Sequence, residues 1–461
     1  MVPERLRAVL DEVRPLAERF ERAGRRVYLV GGVVRDLLLG RELSGDLDLT
    51  TDARPDETRR VVAGWADAVW AQGERFGTVA MKKDGRTYEV TTHRADAYRP
   101  DSRKPDVAFA DAVDADLSRR DFTVNAMAIA LPEPRLIDPF GGAADLAAGR
   151  LRTPLDPEVS FGDDPLRMLR AARFLAGYGL VPEPELVAAV RAMHPRLEIV
   201  SAERVRDELD KLVTVPEPGA GLWFLCDTGL ADEFLPELPG LRLEQDPIHR
   251  HKDVLAHTIA VVEKVRPEHR VTRLAALFHD VGKPKTRSIG PGGVSFHHHE
   301  VVGARMTRER MQALRYPTDD VEQVSRLVFL HLRFHTYKMG WTDSAVRRFV
   351  RDAGDQLDEL IELTRCDCTT RNLRKAKALD RRMDELEERI AELRAREELA
   401  AIRPDLDGRQ VMAHLGVPPG RVVGEALAFL LELRLEEGPL GEEEALRRLD
   451  AWWAGRRAAG D

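Results

Sequence analysis

Two hydrophobic periods divide this chain, and the point where one gives way to the other restricts its fold more than any other feature of the sequence. Early on, a helical stripe (Leu6, Val9, Leu10, Val13, Leu16, Phe20) leads into short β-prone runs at 27–30, 88–92 and 126–130, with Leu47 and Leu49 alternating with Asp46 and Asp48. From about Asp164 onward strand signals nearly vanish, and Leu166, Leu169, Arg170 and Phe174, then Val205, Leu209, Leu212 and Val213, recur at helical spacing. That order predicts an α+β protein, a small mixed-sheet head followed by an all-α neck, body and tail. Breaks containing Pro and Gly at 215–220 and 235–240 mark joints. The expected divisions are 1–155 for the head, 156–245 for the neck, 246–371 for a His-rich body and 372–461 for the tail. In the tail Leu379, Met383, Leu386, Ile390 and Leu393 recur at four- and three-residue steps among dense charges, which reads as a long amphipathic or coiled-coil-like helix.

Composition narrows the class. With 461 residues, 43% apolar and 33% charged, and with no apolar run near the ~20 residues that cross a bilayer, the chain reads as soluble and free of membrane spans. Its first twenty residues are amphipathic and acidic in part, unlike a signal or transit peptide, so the cytoplasm is the expected setting. Three cysteines, Cys226, Cys366 and Cys368, are too few for a disulfide framework. A net charge of −8 argues against bulk electrostatic coating of nucleic acid but leaves room for a local basic stripe.

Gly31-Gly32 sits between a β-prone run and an apolar helical start, with Arg35 one turn further on. Such a turn lets backbone N–H groups approach a phosphate, although a tight turn by itself also calls for glycine. Asp46 and Asp48, two apart in a strand, project to one face while Leu47 and Leu49 enter the core. Like charges so placed suit a Mg²⁺ pair that orients a hydroxyl nucleophile against a triphosphate; an exposed strand with polar residues outward is the competing reading. Glu89, on a neighbouring strand candidate, either completes the carboxylate set or is solvated. Basic residues follow, with Arg94, Arg99, Arg103 and Lys104 in a Pro-rich loop, and then Arg119-Arg120-Asp121-Phe122-Thr123-Val124-Asn125. Arginine offers planar donors to phosphate and Asp121 an acceptor to a ribose hydroxyl, against the alternative of a solvated charged face.

The order of these motifs, continued by residues 163–170 (Asp-Asp-Pro-Leu-Arg-Met-Leu-Arg) and 201–205 (Ser-Ala-Glu-Arg-Val), resembles class II tRNA nucleotidyltransferases and bacterial poly(A) polymerases, and most of all the bacterial CCA-adding enzymes with an HD domain. The resemblance implies a polymerase β-like head in which Asp46 and Asp48 bind catalytic Mg²⁺ and Gly31, Gly32 and Arg35 meet the triphosphate. Arg120, Asp121 and Asn125 would hold the nucleotide's phosphate and sugar, Asp164 and Arg167 would read its base, and Arg170 and Arg173 would line the same site. The family pattern usually begins Glu-Asp where this chain has Asp163-Asp164, so the base-reading pair itself is intact. The implied partners are tRNA, CTP and ATP; the rival readings are a poly(A) polymerase, a partial CC- or A-adding enzyme, and a nucleotide-sensing or RNA-binding module with an inert head.

A second group lies further on: His257, His279-Asp280, the run His297-His298-His299, His331 and Asp367. Mixed nitrogen and oxygen donors of this kind suit a divalent ion with open positions. They resemble an HD phosphohydrolase domain, which implies His257, His279, Asp280 and Asp367 as core ligands of a divalent transition metal. His299 and His331 match the positions that admit a second ion, with His299 preferred over its two neighbours. A basic stripe at Arg371, Arg374, Lys375, Lys377, Arg381 and Arg382 is either a phosphate-tracking surface or a solvated helix face.

Overall fold

The computed structural model describes residues 4–41, 43, 45–70, 77–94, 97–99, 102–106, 109–243, 253–290, 293–337, 340–368, 373–397, 399 and 402–459. Arg371 and the side chains of Arg99, Arg103, Lys104 and Lys375 lie outside the described residues. The chain forms two compact units, 1–239 and 240–461.

The first unit begins with α1 (Glu4–Arg22), whose Val9, Leu10, Val13, Leu16 and Phe20 form a buried stripe against a mixed sheet. The sheet's strands are β1 (Val27–Val30), β2 (Leu47–Thr51), β3 (Ala68–Trp70), β4 (Thr78–Lys83) and β5 (Arg86–Thr92), joined after a short hairpin of β6 (Ala97–Arg99) and β7 (Ser102–Asp106) by β8 (Ala128–Leu131) and β9 (Arg135–Ile137). Among the described residues seven of these align in the order β3-β4-β5-β2-β1-β8-β9. Only β2 and β5 run parallel; the other pairs are antiparallel. β1 is buried along its whole length because a strand near the middle of a sheet covered on both faces has no polar side, which explains its unbroken Val-Tyr-Leu-Val sequence. Helices α2 (Gly32–Leu38), α3 (Pro55–Val62) and α4 (Val113–Ser118) flank the sheet.

α5 (Gly142–Ala148) and the two-residue β10 (Arg150–Leu151) lead into the helical neck, α6 (Pro157–Asp163) and α7 (Leu166–Tyr178), then β11 (Val181–Pro182), α8 (Pro184–Met193), α9 (Ala202–Val213) and α10 (Gly219–Asp227). α7 packs on α9 and α10 through Met168, Ala172, Leu175, Leu209, Leu212 and Leu222, all buried.

The second unit contains α11 (Val254–Lys264), α12 (Arg270–Phe278), α13 (Lys283–Thr286), a hairpin of β12 (Arg287–Gly290) and β13 (Gly293–Phe296), α14 (His299–Ala313), α15 (Thr318–Leu330), α16 (Asp343–Ala353) and α17 (Leu357–Asp367). That hairpin departs from the all-helical reading of this region. Each strand has four residues, too few to register alternation against a Gly- and Pro-rich turn. In α18 (Leu373–Arg396) the seam of Met383, Leu386, Ile390 and Leu393 is buried within the chain, facing α16 and α17. α19 (Gly408–Leu415), α20 (Arg421–Glu437) and α21 (Glu442–Ala459) close a separate apolar cluster around Val411, Leu430 and Leu449. The cysteines are free, and burial pushes the Cys366 thiol up to about 11, which disfavours it as a thiolate ligand.

Candidate active site and candidate metal centre

β1 and β2 are antiparallel with Leu29 opposite Leu49, so the Gly31 turn that follows β1 lies beside the start of β2, where Asp46 and Asp48 stand. Leu47 and Leu49 are buried and the two aspartates exposed, which puts both carboxylates on one open face. Glu89 is exposed and directly in register with Asp48 across the parallel β2–β5 pair. Loss of water around Asp48 raises its pKa and Asp46 raises it further, while Arg120 opposes both. Glu89 is likewise raised by desolvation, then by Asp48 and Asp46. Three carboxylates on one face, with Asp48 and Glu89 both held above the ordinary carboxylate range, form a site whose repulsion a divalent cation relieves.

Gly31 has φ 72°, a backbone conformation that favours glycine, and a β-carbon there would come within 2.7 Å of Arg120 Nη1, so a larger residue would displace the guanidinium above it. Arg120 is held by Asp116 of α4 (3.3 Å), which also takes Arg119 (2.6 Å). Burial pushes the Asp116 carboxyl up, but Arg120 and Arg119 outweigh it and bring it down to about 2. The sequence reading passed over Asp116; its signal was the placement three and four residues ahead of the two arginines.

Both oxygens of Asp121 are engaged. Oδ1 accepts from the Phe122 amide (2.8 Å) and Asn125 Nδ2 (2.9 Å), and Oδ2 from Arg170 Nε (2.9 Å) and Nη2 (2.6 Å). Arg35 donates to Asn125 Oδ1 (2.6 Å) and to Asp36, and its guanidinium lies 4.2 Å from the centre of the Tyr178 ring. Arg35, expected to face a triphosphate, thus anchors the turn to α7. Glu208 of α9, buried in a stripe of Val205, Leu209 and Leu212, accepts from Arg173 (2.7 Å) and Arg170 (3.5 Å). Nothing in its local sequence distinguished it from a solvated glutamate.

Asp164 ends α6, accepts from the Leu166 amide (3.2 Å) and pairs with Arg204 of α9 (3.0 Å). Arg167 is buried and donates to the Ser160 carbonyl (3.1 Å), to Ser160 Oγ (2.8 Å) and to the Arg119 carbonyl. The two proposed base readers are therefore positioned by separate partners, and Arg167 ties α7 to the residue preceding Arg120.

In the second unit the histidines converge. His279, His299 and His331 each set Nδ1 against the carbonyl oxygen three residues earlier, Ala276 (2.7 Å), Phe296 (2.8 Å) and Val328 (2.6 Å). A nitrogen facing a carbonyl carries the proton, so in the neutral ring each Nε2 keeps a lone pair. Those Nε2 atoms meet in pairs at 3.3 Å, His279 with His257 and His299 with His331. Asp280 lies between the pairs, Oδ2 3.3 Å from His279 and Oδ1 3.5 Å from His299. Asp367 Oδ1 is 2.9 Å from His257 and 3.6 Å from His279. Two metal-sized donor sets result, His257–His279–Asp280 and Asp280–His299–His331, sharing one carboxylate. Burial drives the His331 ring down to about 3, keeping it neutral, as a ligand must be. His297 and His298 are exposed while His299 is buried. Gly282 is required here: a β-carbon would lie 2.2 Å from the His299 carbonyl, so the turn after Asp280 closes directly on α14. Lys283 Nζ, 2.6 Å from Asp280 Oδ2, escaped the sequence reading.

With this geometry in view, comparison with known proteins is consistent along the chain. Residues 27–152 match the Poly A polymerase head domain, 179–241 the probable RNA and SrmB-binding site of polymerase A, and 252–393 the HD domain. An A-adding tRNA nucleotidyltransferase of Deinococcus radiodurans is 37% identical over 74% of this chain and 80% of its own length. A CC-adding tRNA nucleotidyltransferase of Thermus thermophilus is 33% identical over 94% of both. The Bacillus stearothermophilus CCA-adding enzyme, solved in complex with CTP, superposes with a TM-score of 0.74 at 25% identity, covering 99% of this chain and all of that one. Enzymes with such heads and HD domains generally use divalent metals, and both donor sets fit that chemistry. The chain belongs to the tRNA nucleotidyltransferase and poly(A) polymerase family, in the form that joins the polymerase head to an HD domain.

Proposed function

We propose that the chain adds C, C and A to the 3′ end of tRNA from CTP and ATP, the 3′-hydroxyl attacking the α-phosphate and pyrophosphate leaving. The observation that carries this reading is the row of Asp46, Asp48 and Glu89 on one open face beside the Gly31 turn, with Arg120 above it. Mg²⁺ held by Asp46 and Asp48 would supply Lewis-acid stabilisation and a more acidic attacking hydroxyl. The Gly31 and Gly32 backbone and Arg120 receive the triphosphate; Arg35, already engaged, holds Asn125 and the turn in place for it. Asp121, kept ionised by Arg170 and Asn125 against the push of burial, would take a ribose hydroxyl by exchanging one of its present donors for it when the nucleotide enters. Arg170 and Arg173, fixed by Glu208, form the wall of the site, and Asp164 with Arg167 offers acceptors and donors to the Watson–Crick edge of C or A. The HD unit is proposed as a phosphohydrolase with up to two divalent transition-metal ions sharing Asp280. No helix among the described residues is long and apolar enough to cross a membrane, and the cytoplasm is the proposed setting.

Partial addition is the second reading, favoured by the names of the A-adding and CC-adding relatives. Incubation of tRNA lacking its 3′ trinucleotide, and of tRNA ending in CC, with CTP, with ATP and with both together decides between them. Full activity gives two residues with CTP alone and three with CTP plus ATP. An A-adding enzyme ignores CTP and extends only tRNA ending in CC, a CC-adding enzyme stops after two, and a poly(A) polymerase ignores CTP and does not stop.

A further inference from the structure

The register of the head sheet aligns one more side chain with the carboxylates. Asp48 pairs with Glu89, Glu89 with Ala80, and Ala80 with Trp70. Residues paired across neighbouring strands share a face, so Trp70 stands on the same open face as Asp48 and Glu89, with small, buried Ala80 between. Trp70 is 37% exposed at the end of an edge strand, so part of its ring is open to a partner beside the carboxylates. Lys82, one pair along on the same face between Ala68 and Thr87, is also exposed.

We propose that Trp70 is a stacking platform for a base near the 3′ end of the tRNA primer, with Lys82 beside it for the backbone phosphate. An aromatic face next to a cation is what an unpaired, sequence-tolerant strand requires. Three strand spacings of ~4.8 Å put Trp70 about 14 Å from Asp48. At a stacked rise of ~3.4 Å per nucleotide, that span covers about four nucleotides behind the reacting hydroxyl, and fewer in an extended strand. The assignment rests on the transferase reading of the head and adds a primer-positioning residue to it.

The test uses the full-length protein, tRNA lacking its 3′ trinucleotide, and W70A, W70F and K82Q. Two readouts are taken: transfer from CTP with primer varied, and primer Kd by fluorescence anisotropy without nucleotide. W70A should raise primer KM and Kd on the order of tenfold, with kcat and the KM for CTP unchanged, and W70F should recover most of the loss. K82Q should reduce the salt slope of binding by about one. An active wild type whose primer KM and Kd are the same in W70A overturns the platform alone, as does a W70A defect that W70F leaves uncorrected. Weakened RNA binding by W70A in a protein that transfers no nucleotide supports the platform and sinks the transferase reading instead.

Discussion

The Arg167 side chain is fixed by three oxygen acceptors and that of Asp164 by Arg204 and the first amide of α7, so neither side chain needs the other to keep its position. Replacing Arg167 with Ala removes one side of the recognition edge while leaving Asp46 and Asp48 untouched. The expected result is a loss of discrimination between CTP and ATP of tenfold or more, at roughly 1–3 kcal/mol for a good paired contact, exceeding the fall in kcat for the correct nucleotide. Single-nucleotide incorporation rates check it, and equal losses in both quantities would contradict the division of roles. A second residue sets a pH dependence. His93 is fully buried, with Nδ1 2.8 Å from Thr50 Oγ1 and its ring near Tyr28. Burial lowers its pKa from the ordinary 6.5, so the folded state favours the neutral ring. The unfolded chain binds that proton more readily, hence stability is present above pH ~6.5 and drains as pH falls through it toward the lower folded value. His93→Phe keeps a ring beside Tyr28 and leaves the Thr50 hydroxyl its bond to the Thr91 carbonyl. Thermal melts between pH 7 and 5 should show the wild type losing stability faster than H93F; parallel curves would rule the effect out.

Among the elements, α7 and α9 are joined by a buried carboxylate. Glu208→Gln removes the charge that Arg170 and Arg173 share, and breaking a buried pair in this way costs about 3 kcal/mol. Urea unfolding should register that loss in the midpoint with little change in slope, and nucleotide KM should rise because Arg173, in the wall of the site, loses the carboxylate that holds it at 2.7 Å. An unshifted midpoint would assign the packing of these helices to their apolar contacts alone. The same elements indicate what the sequence disclosed. Alternation at 46–49 disclosed which face carries the aspartates, because a strand's period is two and Leu47 and Leu49 have only the core to enter. Helical spacing disclosed α1, α7, α9 and the seam of α18. Glu208 stayed hidden because a buried, paired carboxylate and a solvated one are spelled alike and only tertiary packing separates them, whereas Asp116 is marked only by its spacing to Arg119 and Arg120. The β12–β13 hairpin stayed hidden because four-residue strands carry too little periodicity to outweigh their turn.

For the whole molecule, the two candidate sites lie in separate compact units and share no residue. Asp280→Asn should therefore abolish any phosphohydrolase activity, since it strips both donor sets of their common oxygen ligand, while nucleotidyl transfer persists; loss of both activities would reveal coupling between the units. Chelation should stop both, and Mg²⁺ alone should restore transfer. The central claim is that Asp46 and Asp48 hold the metal at which the triphosphate is opened. Its most direct test is incorporation of labelled CTP into tRNA lacking its 3′ trinucleotide by wild type and by Asp46→Ala at saturating Mg²⁺. Losing several kcal/mol of charge stabilisation, D46A should fall by on the order of a thousandfold with CTP and ATP alike. A variant that still incorporates at near the wild-type rate would contradict the account.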